Sequence, residues 1–492
     1  MDNSTFNGDA VSLACEYLEK KFGCQLSTTF YTNVRTWRNW WRGYDDTFHS
    51  YRQLGIDNAP RKREMYRMNM AKRITEDWAS LLLNERTGIT VKDDASDKWL
   101  QGEDGNGGVL WDNAFFQEGK ELLEKAFALG TGAFIARADG AKVDKSGKVI
   151  ADPECKAVID YVDALCIIPL SVSRSRITEV AFVSESVKRG KTCIYIETHT
   201  IGENGNYQIE NEYFIKDGGK MKTTELPPGI VPLIDTGSPL PWFAIFTPNI
   251  TNNNEYENGL GLSVYANAID NLKGVDLAFN NFVKDLFLGG KKVFVNKSML
   301  QTDKEGNVIT PDDAAQQLFQ MVGDGMDFDA KQMTQEFNPS LRVAENAEAV
   351  QRQLDYLSFA CGMGTHRYQF NFSGVKTATE YNGERQDLVQ HAKKHSDVLA
   401  AAIKTLCAAL LYIGREFCGA KVDPETNITV DFEDGFIIDD NAARENDRQD
   451  IRDGIKQKWE YRVKWYHETE EEAKAAINGM QTATENPFGF IN

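Results

Sequence analysis

The chain has 492 residues, 41% of them hydrophobic and 26% charged, with a formal net charge of -18. That is more chain than one ordinary core requires, so several packed units are expected, and the apolar content excludes a disordered polypeptide. The charge excludes a protein that coats nucleic acid through general basicity, since phosphate affinity comes mostly from Lys and Arg; a DNA partner would have to slide past this surface without sticking.

The eight cysteines are scattered, with no C-x-x-C pair, and read as reduced and mostly buried thiols. Met1-Asp2-Asn3-Ser4 carries neither a basic nor an apolar leader region. No run is judged to reach the roughly 18 apolar residues that a membrane span needs, so a chain made and kept in the cytosol is expected.

From Asp9 to Phe134 the periodicity is helical, clearest in Met65, Met68, Ala71, Ile74, Trp78, Leu81 and Leu82. From Ile135 to about Pro248 the texture changes to short β-type runs such as Val180-Ala181-Phe182-Val183 and Cys193-Ile194-Tyr195-Ile196. Asp139-Gly140, Ser146-Gly147 and Asp217-Gly218-Gly219 punctuate them as hairpins.

After Thr251-Asn252-Asn253-Asn254, the residues Tyr265, Ile269, Leu272, Val275, Phe279, Phe282 and Leu286 line one face of a helix that ends at Gly289-Gly290. A strand from Lys291 to Asn296 follows. Lys304-Glu305-Gly306-Asn307 reads as a hairpin tip, and a short helical run is expected near Ala314 to Met321. Val343, Ala347, Val350, Leu354, Leu357 and Cys361 mark a second helix, stopped by Gly362 and Gly364. Leu388, Ala392, His395, Leu399, Ala402, Leu406, Ala409, Ile413 and Phe417 keep the rhythm of one very long helix, Thr377 to Phe417, on the order of 60 Å in length. The last zone opens with a strand, Ile428 to Phe432, then a charged helix from Asp440 to Gly454 and an acidic run near Glu468 to Ile477.

Four patterns invite a chemical reading, and each has a plainer one. Asp235-Thr236-Gly237 resembles an aspartic-protease loop, but that chemistry needs two aspartates sharing a proton, and the chain has one copy among prolines. Arg189-Gly190-Lys191-Thr192 ends like a phosphate loop, yet Glu185 stands where the first glycine belongs, so a hairpin turn explains it. His391 and His395 lie four apart without a third ligand, and His395 sits on the apolar stripe. Arg35, Arg38 and Arg42 alternate with Trp37, Trp40, Trp41 and Tyr44, a basic-aromatic pattern that a buried amphipathic helix also produces.

With no catalytic constellation, the order of elements carries the function. Helix, small β-containing insertion, helix, glycine-bounded loop, very long helix and charged C-terminus resemble the stem, clip, stem, tunnel loop, wing-spanning helix and crown of tailed-bacteriophage portal proteins. Gly259-Leu260-Gly261-Leu262-Ser263 before Ala268-Ile269-Asp270-Asn271-Leu272 resembles the start of the first stem helix. Phe282-Val283-Lys284-Asp285-Leu286 with Gly289-Gly290-Lys291-Lys292, and Gly374-Val375-Lys376-Thr377-Ala378-Thr379-Glu380, resemble the clip entry and tunnel-loop exit of the subfamily in siphophages of Gram-positive hosts.

The resemblance implies an α+β, mainly helical portal fold with a β-rich part in the wing and a small α/β clip. Its parts fall at 1–134 (helical wing), 135–250 (β-rich wing), 251–290 (first stem helix), 291–342 (clip), 343–362 (second stem helix), 363–376 (tunnel loop), 377–418 (wing-spanning helix) and 419–492 (crown and tail). It implies a non-enzymatic, dodecameric ring without cofactor or metal at one capsid vertex of the virion. Partners would be terminase, the head-completion or tail adaptor, major capsid and scaffolding proteins, and double-stranded DNA passing without sequence specificity; no membrane is involved. His366, Arg367, Gln369, Asn371 and Lys376 would face DNA, and Lys304, Glu305, Gly306 and Asn307 would touch terminase or the adaptor. An aspartic-type hydrolase using Asp235 and a filament or scaffold-forming protein are the alternatives. In the ring reading Leu399, Leu406 and Ile413 lie inside the ring wall.

Overall fold

The computed structural model describes residues 8–24, 26–54, 59–84, 87–103, 107–144, 149–152, 154–188, 190–254, 258–296, 319–322, 334–370, 378–432, 440–466, 468–470 and 472–477. It divides into two compact units, 1–373 with 390–432, and 374–389 with 433–492. Both helices and sheets build it, so the chain is α+β as expected.

In the first unit the helical zone is real but not purely helical. Helices Thr29–Trp41, Met70–Leu82 and Phe115–Leu129 pack on one another. Between them lie an antiparallel ribbon, Ser50–Leu54 with Pro60–Glu64, and a strand, Thr87–Val91. That strand pairs with Ile428–Phe432 from near the other end of the sequence. Period-2 alternation in Thr87–Val91 is too short to stand out in a window set for helices.

Among the described residues the β-rich zone forms two larger sheets and a short ribbon, Lys142–Val143 with Val149–Ile150. Gly132–Asp139 is the central strand of one, between Phe243–Phe246 and Lys156–Asp163, all antiparallel. In the other, Lys220–Thr223, Tyr207–Asp217, Lys191–Ile201, Arg176–Lys188 and Ile167–Ser173 lie side by side, and Leu233–Asp235 also pairs with Tyr207–Asp217. A partly buried ion cluster joins the two larger sheets. Arg137 of the first sheet lies 2.6 Å from Asp160 and pairs also with Glu197 of the second, whose other oxygen is 2.7 Å from His199 Nε2. Burial alone would raise the Glu197 pKa, but Arg137 and then His199 hold it down at about 2.

The helix Ile269–Leu288 starts later than its apolar stripe suggests. Tyr265 is not on it; it precedes a 3₁₀ turn, Ala266–Ala268, is fully buried, and donates to the Trp37 carbonyl at 2.9 Å. A phenol with that partner is worth more as an anchor than as one more stripe residue. Beyond the helix, Lys292–Asn296 is the middle strand of three, parallel to Phe319–Val322 and antiparallel to Thr334–Phe337. Phe319 to Met321 are therefore strand and not the end of a helical run, because pairing with Val293 to Val295 overrides their local preference.

The long helix runs Ala378–Glu416. Its stretch Asp387–Glu416 is long and apolar enough to cross a membrane by length and composition, which corrects the expectation that no run would be. The burial of its apolar residues explains that composition: Leu399, Ile403, Leu406, Leu410 and Ile413 are all inside this single chain. Their place is thus the subunit's own core and not a contact that only a ring wall would create. The helix also carries His395, edge-on to both Trp78 and Phe127 at 4.9 and 5.1 Å, with Nδ1 accepting the Asn249 N–H at 2.9 Å. Burial, with His391 and Lys394 nearby, pushes its pKa down to about 3.

Leu406→Ala removes a fully packed side chain and should cost about 2 to 5 kcal/mol, read as a lower melting temperature of the chain whatever its assembly state. His395 is neutral when folded and takes a proton more readily when unfolded, so its contribution is complete above about pH 6.5 and is lost as pH falls toward 3. The pH dependence of thermal unfolding should therefore be shallower across that window in His395→Gln than in the parent chain.

Candidate channel segment and the helix pair that carries it

The pairing of helix Ile269–Leu288 with helix Val343–Ala360 is antiparallel: Gly274 faces Gln353, whereas Asp285 faces Arg342 and Asn346. Leu272 and Val275 on the first helix and Val350, Leu354 and Leu357 on the second are buried. A Cβ on Gly274 would meet Gln353 Oε1 at 2.5 Å, so the Gln353 side chain lies over the glycine. At the other end Asp285 accepts from Arg342 Nη2 at 2.8 Å and Asn346 Nδ2 at 2.9 Å. The Arg342 hydrogen bond holds its carboxyl below the ordinary value.

The first helix is fastened to the N-terminal part by two buried polar side chains. Asp276 accepts from His49 Nε2 at 3.0 Å and from the Met68 N–H at 2.8 Å, and Asn280 Oδ1 accepts from the Tyr66 N–H at 3.2 Å. His49 Nδ1 accepts from the Asp45 N–H at 2.8 Å, which leaves Nε2 as the donor to Asp276.

Helix Val343–Ala360 ends as expected, with Gly362 and Gly364 both at positive φ and Met363 N–H bonded to the Ser358 carbonyl at 2.9 Å. The following residues do not hang free. Tyr368 donates to Asp77 Oδ2 at 3.0 Å, and Arg73 meets the other oxygen at 3.1 Å. Gln351 donates to the Tyr368 carbonyl at 2.9 Å. Burial, and then the Asp77 carboxylate, push the Tyr368 hydroxyl well above its ordinary range. Arg367 Nε lies 3.8 Å from Asp77, and Gln369 Nε2 donates to His366 Nδ1 at 2.8 Å. Phe370 is 71% exposed. Asn371 and Lys376, and all of Lys304, Glu305, Gly306 and Asn307, lie outside the described residues.

So His366, Arg367 and Gln369 share one segment, tied down by two residues that sequence reasoning missed, Asp77 and Gln351. Asp77 is buried on the apolar stripe of Met70–Leu82. A carboxylate in that position is the signal that could have pointed to a partner.

The other patterns resolve into structure. Asp235 accepts from the Gly237 N–H at 3.0 Å in its own turn, and Thr236 hydrogen-bonds the Tyr207 carbonyl at 2.8 Å. Lys188 pairs with Lys191 across a tight hairpin. Trp37 and Trp40 are core residues, and Trp41 donates to Glu124 at 2.8 Å, so the indoles offer no stacking platform. Among the described residues no group of three or more His, Cys, Asp or Glu side chains could hold a metal ion, and no disulfide forms.

No curated protein matches this chain. The family model described as phage portal protein, SPP1 Gp6-like, matches residues 25–462. That match spans the helix pair, the inserted strands, the Asp77-anchored segment and all of the long helix, and the family is structural and not enzymatic. The chain belongs to the phage portal protein family, SPP1 Gp6-like.

Proposed function

We propose that copies of this chain close into a dodecameric ring at one capsid vertex, forming the channel through which double-stranded DNA is packaged and later ejected. One observation carries the reading: two antiparallel helices packed along their length, with a small three-stranded sheet inserted at the end where Asp285 meets Arg342. In this assignment the helices are the stem, the strands belong to the clip that docks terminase and then the head-tail adaptor, 363–376 is the tunnel loop, and Ala378–Glu416 spans the wing. The host is a Gram-positive bacterium, the chain is made in its cytoplasm, and scaffolding and major capsid proteins surround the vertex. An acidic wall supports conduction, since a surface that repels phosphates does not hold the duplex.

The anchoring of 363–370 favours a second reading of the loop, as a connector that sets the stem against helix Met70–Leu82. DNA contact and support are then divided along the segment. Tyr368 supports, while Arg367 and Lys376 supply positive charge for transient phosphate contact.

A view down the axis of the purified protein by electron microscopy should reveal closed rings; an open polymer or a monomer would refute the channel. Tyr368→Phe leaves Asp77 without its hydroxyl donor and should lower stability by about 1 to 3 kcal/mol, measured by denaturant unfolding. Arg367→Ala with Lys376→Ala should instead leave rings and melting unchanged while shortening the packaged DNA. Wild-type genome length in that double variant would reduce the loop to a connector.

A further inference from the structure

The ribbon Ser50–Leu54 with Pro60–Glu64 is a basic island in an acidic chain. Arg52, Arg61, Lys62, Arg63 and the nearby Arg67 stand with Glu64 as the one carboxylate among the described residues 50–54 and 59–67, and Lys62 Nζ lies 3.5 Å from the exposed Asp46. Every residue from Pro60 to Glu64 is exposed. The register puts Arg52 directly opposite Lys62, and like charges in that position destabilise a ladder. A two-stranded ribbon is marginal in water by itself, and no further described strand extends it. The arrangement becomes favourable when an anionic surface covers it.

The geometry around the first stem helix points to where that surface is. Asp276, Asn280 and Lys284 recur every four residues and mark the face that holds the ribbon's approaches: His49 and Met68 on Asp276, Tyr66 on Asn280, and Tyr51 on Lys284. Gly274 and Asp285 lie on a different side of the same helix and meet Val343–Ala360. At 3.6 residues per turn the two contact faces are well over a quarter-turn apart. The basic ribbon and the second helix therefore flank the first from separate sides. Val343–Ala360 exposes Glu345 and Glu348, Glu348 lying 3.0 Å from Arg352 of its own helix, and farther along it Tyr356 at 58% and Phe359 at 65% exposure.

We propose that the ribbon of one copy docks, through Arg52, Lys62 and Arg63, on Glu345 and Glu348 of the next copy. This rests on the ring reading above. A head-to-tail contact brings one side of a helix pair onto the other side of its neighbour, which brings the basic ribbon to these carboxylates, and exposed pairs such as Lys62–Asp46 and Glu348–Arg352 are weak enough to exchange. The net charge of -18 favours a second copy over a nucleic acid as the occupant. The chain as a whole repels phosphate, whereas another copy of it presents an excess of carboxylates.

The test uses the full chain and three proteins: the parent, the reversal Arg52→Glu, Lys62→Glu, Arg63→Glu, and that reversal combined with Glu345→Lys and Glu348→Lys. Assembly is followed by sedimentation velocity at about 0.1 M salt, where exposed charges still act over roughly 10 Å. Melting temperature reports folding. The reversal should raise the concentration needed for rings at least tenfold with melting unchanged, and the combined variant should recover most of that loss. Parent rings that the reversal leaves undisturbed would overturn the docking while leaving the ring intact. Failure of the combined variant to recover would overturn Glu345 and Glu348 as the partners. Loss of binding to a 30-base-pair duplex with rings undisturbed would assign the ribbon to DNA instead. A parent chain that forms no rings at any concentration would overturn the ring itself.

Discussion

A buried carboxylate, Asp276, sets the position of the helix on which the rest of the candidate site depends. It sits mid-helix in Ile269–Leu288 and is satisfied by His49 and by the Met68 backbone. A carboxylate out of water is costly unless such partners surround it, so the helix has one azimuth and one height at which it can pack. Asn280, one turn on, repeats the constraint through Tyr66. Once that helix is fixed, the second one meets it through the bonds of Asp285 to Arg342 and Asn346, and the inserted strands lie between the two in the chain.

Asp77 plays the corresponding part for the segment after the second helix. It gathers Arg73, Tyr368 and, more distantly, Arg367 at one point of helix Met70–Leu82. A glycine-bounded segment has backbone freedom at its ends, but its side chains decide whether that freedom is used. Here Tyr368 and Gln351 restrain the described half. If the segment faces DNA as proposed, such restraint would have a function: charge near a moving polyanion would stay at a constant radius, whereas a free basic loop would bind phosphates and stall them.

Much of the helical scaffold was legible because its signal is periodic. The stripes through Val350, Leu354 and Leu357, and through Leu399, Leu406 and Ile413, predicted helices whose buried faces are those residues. The glycine stops at 362 and 364 were legible for the same local reason, since positive φ is a property of one residue. Tyr265 and Phe319 misled. Each fits a helical spacing, yet one is claimed by the Trp37 carbonyl and the other by a strand 26 residues earlier.

The sequence by itself determined the order of elements, the apolar face of each long helix, and the absence of a complete catalytic pattern, all of which depend on residues near one another in the chain. Only the tertiary structure decided which polar groups meet. His49 finds Asp276 across 227 positions, Tyr368 finds Asp77 across 291, and Thr87–Val91 finds Ile428–Phe432. Those pairings leave no local trace, because a hydrogen bond between distant residues imposes no periodicity on either neighbourhood. Its energy favours one partner only after packing has brought the two together.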